Sequence, residues 1–262
     1  MEIVFKNYKI KNKDYSFSIK DNKITGITGK NRHQLMEIIW LKNNYQGEII
    51  IDNKKIESKD INKYKKKISI IREENKERWF HNTIYENMYY EIRRKNLCLK
   101  NPKKKILDSL KIVGLNQSYI EKNINTLSTS EKKCIDLAIS LLSNPELIMI
   151  EEPFKSLDKN REKKMILLLQ KIKEQYNKTI IFVSSDSNML YKYTDYLIIG
   201  NKQSLIEGKT EEIYQDINIL KKHKIAIPEI VEFTYLARKN KKAKIEYHKD
   251  IRDIIKDIYK HV

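Results

Sequence analysis

Cysteine is nearly absent from this chain: Cys98 and Cys134 are the only two in 262 residues. They fit no metal-ligand spacing, and so small a complement suits a reducing cytosol. None of the five histidines falls in a pattern such as HExxH, which argues against metal catalysis through histidine. No apolar run reaches the roughly 18 residues that a membrane-spanning helix needs. The first residues, Met1 to Lys6, read directly as a strand and offer no signal peptide. Glycine is scarce, with six in all, and no intact glycine-rich phosphate loop is present. There are no internal repeats and no low-complexity linkers.

What is abundant is charge and β-branched apolar residues. The formal net charge is +18, with 40% of residues hydrophobic, enough for one sizeable core. The lysines are scattered through helical stretches and interleaved with Glu and Asp rather than gathered in a tail. Together with the many Asn, Ile and Tyr residues, they carry the stamp of an AT-rich coding genome. Solvated faces and attraction to an anionic membrane surface are therefore expected, and nucleic-acid binding is not.

Residues 1 to about 71 read as short strands: Ile3 to Phe5, Tyr15 to Ile19, Ile24 to Thr28, Glu48 to Ile51 and Ile68 to Ile71. Leu35, Met36, Ile38, Ile39 and Leu41 mark a helix among them. From Thr83 to about Leu142 the pattern is helical, broken at Asn101-Pro102 and Gly114. Two apolar strands, Leu147 to Ile150 and Thr179 to Val183, flank a helix carrying Met165, Leu168, Leu169 and Ile172. Such a strand–helix–strand unit implies a right-handed parallel crossover and an α/β core. Tyr196 to Ile199 and Ser204 to Glu207 complete the sheet. After Gly208 only helices are expected, one starting at Pro228-Glu229 with Ile230, Phe233, Thr234 and Ala237 on one face. The last places Ile251, Ile254, Ile255, Ile258 and Tyr259 in a stripe that must cover something.

Two segments carry chemistry. Ser128 and Glu131 have the capping-box spacing at the start of a helix whose remaining amides and dipole favour an anion. That helix leads into the strand Leu147 to Ile150, which ends in Glu151-Glu152, and acids at the carboxyl end of a buried strand sit where α/β sheets bind ligands. Glu151 could hold Mg²⁺ through water, and Glu152 could orient or deprotonate an attacking water.

The segment Leu127 to Asp158 resembles the signature motif, Walker B strand and D-loop of ATP-binding cassette (ABC) proteins: LSGGQ, four apolar residues, DEP and a loop closing in LD. The tail, from Gly208 through Ile227 to Glu232 and the final helix, is similar to the ATPase subunits of energy-coupling-factor importers. This resemblance implies an α/β, P-loop NTPase-like ABC nucleotide-binding domain over residues 1–207. Its parts would be a RecA-like parallel core, an antiparallel β subdomain and a helical subdomain at about 83–142, followed by a helical C-terminal extension, 208–262. It implies ATP and Mg²⁺ as cofactors, a second ATPase subunit and a transmembrane permease as partners, and a peripheral place on the cytoplasmic face of the membrane. By position, Tyr8 would stack on adenine, Glu73 stands at the Q-loop glutamine, Ser185 at the switch histidine and Asp158 in the D-loop. Ser128, Thr129, Ser130 and Glu131 would face the partner's nucleotide, and Arg78-Trp79-Phe80 would dock the permease.

The phosphate loop departs from GxxGxGK[ST]. The segment is Gly26-Ile27-Thr28-Gly29-Lys30-Asn31-Arg32-His33-Gln34-Leu35-Met36. Anchoring on the strand makes Gly29-Lys30-Asn31 the start of a loop lacking about three residues; anchoring on Gly26 and Gly29 keeps the length and puts Asn31 at the third glycine. Both put Arg32 at the lysine and His33 at the Mg-binding hydroxyl, whereas a third register gives those places to Lys30 and Asn31. Glycine supplies the positive φ with which successive amides curl round phosphate, and a shortened loop cannot form the cradle. Arginine's planar fork does not replace a compact ammonium. Glu73 for Gln, Ser185 for His, Glu151 for Asp, and Thr129 and Ser130 for both signature glycines depart in the same direction. Three readings follow: a degenerate subunit paired with a competent one, a scaffold or regulator without nucleotide, and an active ATPase using Lys30 or Arg32.

Overall fold

The computed structural model describes residues 1–10, 13–41, 46–73, 79–201, 204–241 and 245–260. The chain divides into two compact units: residues 57–180 together with Met1, and residues 2–56 with 181–262.

The second of these begins with β1 (Ile3–Ile10), β2 (Lys13–Ile19), β3 (Ile24–Thr28), α1 (Arg32–Ile39), β4 (Gln46–Ile51) and β5 (Lys54–Lys55). An antiparallel sheet runs in the order β2-β1-β4-β5. Its inner face is set by period-two alternation: Ile3, Phe5, Phe17, Ile19, Ile49 and Ile51 are all buried. The strand expected over Ile3 to Phe5 continues to Ile10 because a register shift between Phe5 and Tyr8 lets the ladder resume. Asn7 absorbs it with a left-handed φ of 49°, a conformation asparagine tolerates.

The other unit contains α2 (Ile61–Lys65), β6 (Ile68–Ile71), α3 (Ile84–Arg94), α4 (Pro102–Ile112), α5 (Thr129–Leu142), β7 (Leu147–Glu151) and α6 (Lys159–Tyr176). Strands β6 and β7 pair in parallel, Ile68 opposite Leu147 through Ile71 opposite Ile150. Strand β7 is apolar from Leu147 to Ile150, and β6 is apolar but for the buried Ser69, as strands covered on two faces require. The helical stretch expected over 83–142 is α3, α4 and α5, with breaks at the anticipated places. Thr83 caps α3 in a capping box with Glu86, and Asn101 with Pro102 opens α4.

The chain passes from one unit to the other along β8 (Thr179–Val183). There follow α7 (Ser187–Tyr193), β9 (Tyr196–Gly200), β10 (Leu205–Lys209), α8 (Thr210–Gln215), α9 (Ile217–His223), α10 (Glu229–Lys241) and α11 (Ile251–Lys260). Strand β3 pairs in parallel with β9, and β9 antiparallel with β10. The short α7, capped by Asp186, carries no clear apolar period and is not foreseen from the sequence. On α10 the buried positions are Val231 and Thr234, while Phe233, grouped on one face with Thr234, is half exposed. The stripe on α11 buries Ile254 and leaves Ile251, Ile255 and Tyr259 exposed. No helix among the described residues is long and apolar enough to cross a membrane.

Candidate functional site

In the unit of residues 57–180, the end of β7 carries the paired acids. Glu151 is half-buried, and its carboxylate accepts the backbone N–H of Glu73 at 3.2 Å. Glu152 stands in the left-handed region, with φ 44°, a conformation rare for a residue other than Gly, Asn or Asp. Its carbonyl accepts from the Lys155 amide at 3.3 Å and from Lys133, on α5. The Lys133 ammonium donates to the carbonyl of Glu152 at 2.7 Å and to that of Pro153 at 3.2 Å. Burial lowers the pKa of this lysine, partly offset by the nearby Glu73, Asp136 and Glu152 carboxylates. A small cavity opens here, lined by Arg72, Glu73, Lys133, Asp136, Glu151 and Pro153 among others. The Glu73 carboxylate forms an ion pair with Lys155, in the turn after the acids. That turn ends at Asp158, whose side chain accepts the amides of Asn160 and Arg161 and so caps α6.

The same unit contains the capping box expected from its spacing. Glu131 N–H donates to Ser128 Oγ, while the Glu131 carboxylate accepts from Ser128 N at 2.8 Å and from Ser128 Oγ at 2.7 Å. A third donor, the Tyr119 hydroxyl, lies 2.6 Å from the carboxylate. These bonds hold the Glu131 carboxyl at about 2, well below its ordinary value. Helix α5 thus carries an anion of its own at its amino end. Thr129 is exposed and Ser130 half-buried beside it. Trp79 is half-buried, and Phe80 is 62% exposed with its ring 5.4 Å from that of Tyr90. Arg78 lies outside the described residues.

In the other unit, Gly26 lies inside β3, Gly29 follows it, and α1 begins at Arg32 with Asn31 as its N-cap. Only Gly29, Lys30 and Asn31 therefore connect strand and helix, the length that follows from anchoring on the strand. Gly29 has φ 93°, and a Cβ there would stand 2.4 Å from the Gly200 carbonyl oxygen. Backbone meets backbone at this point, so only glycine fits.

Three successive amides here, those of Lys30, Asn31 and Arg32, already have acceptors. Lys30 N–H donates to Asn201 Oδ1 at 3.2 Å, Asn31 N–H to the Gly200 carbonyl at 2.9 Å, and Arg32 N–H to the Gly29 carbonyl at 3.2 Å. Asn31 does not cap α1 with its side chain, which turns instead to the Asn201 carbonyl and the Tyr15 hydroxyl. Lys30 and His33 are exposed, Arg32 and Gln34 half-buried. Ser185 is exposed in the turn between β8 and α7. Tyr8 is not available for stacking: the bulge in β1 turns its ring inward, fully buried and edge-on to Phe5 at 5.6 Å.

The structure thus gathers Glu73, Glu151 and Glu152 around one turn, and Ser128 with Glu131 at one helix end. The sequence pattern missed Lys133, Lys155, Tyr119 and Asn201. Lys133, two residues beyond Glu131, had a signal in its place on the signature helix; the others had none.

A parallel strand ending in paired acids, a capped helix preceding it, a strand-to-helix loop and an antiparallel sheet are the parts of a P-loop NTPase-like nucleotide-binding cassette. The chain belongs to the ABC transporter family, whose model matches residues 12–155. It is similar to the energy-coupling factor transporter ATP-binding protein EcfA3 of Oenococcus oeni, with 27% identity over 236 residues that cover 87% of this chain and 82% of that protein. It is also similar to EcfA2 of Caldanaerobacter subterraneus subsp. tengcongensis, 24% identical over 252 residues covering 92% and 86%. Among solved structures, cbiO1 from Clostridium perfringens, part of the ABC transporter complex cbiONQ, matches with a TM-score of 0.72 at 21% identity, covering 89% of this chain and 98% of that one. That match bears on the fold alone.

Proposed function

We propose that this chain is the nucleotide-binding-domain subunit of an energy-coupling-factor-type importer of a micronutrient, whose own phosphate loop does not take ATP. It pairs with a different, competent ATPase subunit beside a membrane permease, peripheral to the cytoplasmic face. The single observation that carries the reading is the engagement of the Lys30, Asn31 and Arg32 amides by acceptors of the same unit. A triphosphate at this loop needs backbone amides, and these three are already taken. The residues present do not fit ATP at this loop, and the family's Mg²⁺ ligand of Ser/Thr type is His33. Glu151, the remaining metal candidate, has one carboxylate oxygen engaged by the Glu73 amide.

The names of the relatives, energy-coupling factor transporter ATP-binding proteins, support the energy-coupling-factor class. Phe80, exposed beside Tyr90, supports a permease-docking role for Trp79-Phe80. Residues 208–262 act as a C-terminal extension of a cassette spanning 1–207. In the pair, Ser128 and the amides near Ser130 face the partner's nucleotide, and Asp158 lies in the segment next to it.

A second reading, a non-catalytic scaffold or regulator, is favoured by Glu131. Its carboxylate at the start of α5 opposes the approach of a partner's phosphates. Calorimetry with Mg-ATP and steady-state hydrolysis by the purified chain test the proposal. No binding up to millimolar ATP is expected; tight binding with turnover would overturn it. No turnover with every candidate partner subunit present would leave the scaffold reading in its place.

A further inference from the structure

The disagreement between family and loop has a specific agent. Asn201, the first residue after β9, has its side-chain oxygen 3.2 Å from the Lys30 amide, and its side-chain nitrogen donates to the His223 carbonyl at 3.0 Å and lies 3.0 Å from His223 Nδ1. The carboxamide has one acceptor end and one donor end. The His223 carbonyl can only accept and the Lys30 amide can only donate, so the two contacts fix the orientation between them. His223 is the last residue of α9, and a carbonyl at a helix end has no partner within the helix. The C-terminal extension therefore supplies the acceptor that aims Asn201 at the loop.

We propose that Asn201 is the residue that closes the Gly29–Asn31 connection to phosphate, its amide oxygen standing where an anion's oxygen would have to stand, with α9 holding it there. The inference rests on the reading of the loop as unable to take ATP, and names the cause. Within the shortened connection, Asn201 takes the amide of Lys30 and Gly200 that of Asn31. Gly200 cannot be withdrawn without parting β3 from β9, whereas Asn201 acts through its side chain alone. Asn201 is thus the replaceable half of the closure.

The test is amide exchange and pyrophosphate titration on the ¹⁵N-labelled full chain, for the native protein, Asn201→Ala and Asn201→Asp. In the native protein the Lys30 amide should be protected although its residue is exposed. Asn201→Ala should raise Lys30 exchange at least tenfold and tighten pyrophosphate binding at least tenfold. Asn201→Asp loses the donor to the His223 carbonyl but sets a negative charge beside the loop, and should show no gain in pyrophosphate binding; a gain equal to that of Asn201→Ala would overturn the inference. A Lys30 amide that exchanges freely in the native protein overturns the inference without recourse to any variant. So does an Asn201→Ala protein that is folded and binds pyrophosphate no better than the native chain. Tight Mg-ATP binding by the native chain would instead remove the underlying reading, an outcome distinct from absent binding with no gain in Asn201→Ala.

Discussion

The Tyr119 hydroxyl and the Glu131 carboxylate meet at 2.6 Å across a separation of 12 residues. This contact joins a 3₁₀ turn to the amino end of α5 and adds a third donor to a capping box already complete. The carboxylate is stabilised in its charged form, so its pKa in the folded chain, about 2, lies below the ordinary 4.5. A depressed pKa contributes stability that is present above the ordinary value and lost as pH falls through the folded one. Urea unfolding of the native chain and Glu131→Gln should therefore differ at pH 6 and converge between about pH 4.5 and pH 2. A difference that does not change over that window would refute the assignment. Ser128→Ala, which removes the cap itself, should cost about 1 kcal/mol.

Lys133 should matter for the turn that follows the acids. Lys133→Met keeps the length of the side chain but leaves the Glu152 and Pro153 carbonyls without their cationic donor. A loss of about 1–3 kcal/mol is expected by chemical denaturation. Lys133→Arg should recover part of it. Equal stability of Lys133→Met and the native chain would mean that the left-handed Glu152 needs no such support.

The close approach at Gly29 can be separated from its positive φ. Gly114 also has positive φ, 78°, but a Cβ there would meet nothing within 4 Å. Gly114→Ala should cost about 1 kcal/mol, from backbone strain alone. Gly29→Ala adds a clash with the Gly200 carbonyl oxygen and should cost about 3 kcal/mol or more. Comparable melting temperatures for the two variants would show that the backbones part easily at this point.

Alanine at both Trp79 and Phe80 tests permease docking. Phe80 is largely exposed, so Phe80→Ala alone should change stability by no more than about 0.5 kcal/mol. The double variant should lose co-purification with the permease and keep its circular dichroism spectrum. Undiminished co-purification would remove the docking role.

If Lys30 or Arg32 served as the phosphate-binding cation of an active ATPase, alanine at either would abolish turnover by the chain. The closed loop leads to the opposite expectation: neither Lys30→Ala nor Arg32→Ala changes the background hydrolysis rate. A fall of tenfold or more in either variant would establish the active reading.

Much of the fold was legible along the chain because its signals are local. Strands β6, β7, β8 and β9 are dominated by apolar residues, and breaks between the helices fell at Asn101-Pro102 and Gly114. The Ser128–Glu131 box was legible for the same reason, since both partners lie within one turn. Tyr8 was misplaced because a bulge at Asn7 reverses which face of β1 points inward, and nothing in the local alternation announces that shift. On α10 apolar residues lie on more than one face, and only packing decides that Val231 is buried and Phe233 is not.

The sequence by itself determined the family and the order of its motifs, together with the departures from the family's phosphate loop and signature. These are properties of residue type and spacing over a few positions. Only the tertiary structure decided what the altered residues do. It set Asn201 against Lys30 across 171 positions, Glu73 against Glu151 across 78, and Lys133 against Glu152 across 19. The physical reason is that a backbone amide or carbonyl carries no residue identity. Its partner is chosen by which strand or turn is packed beside it, and that is settled only when β3 lies next to β9 and β6 next to β7.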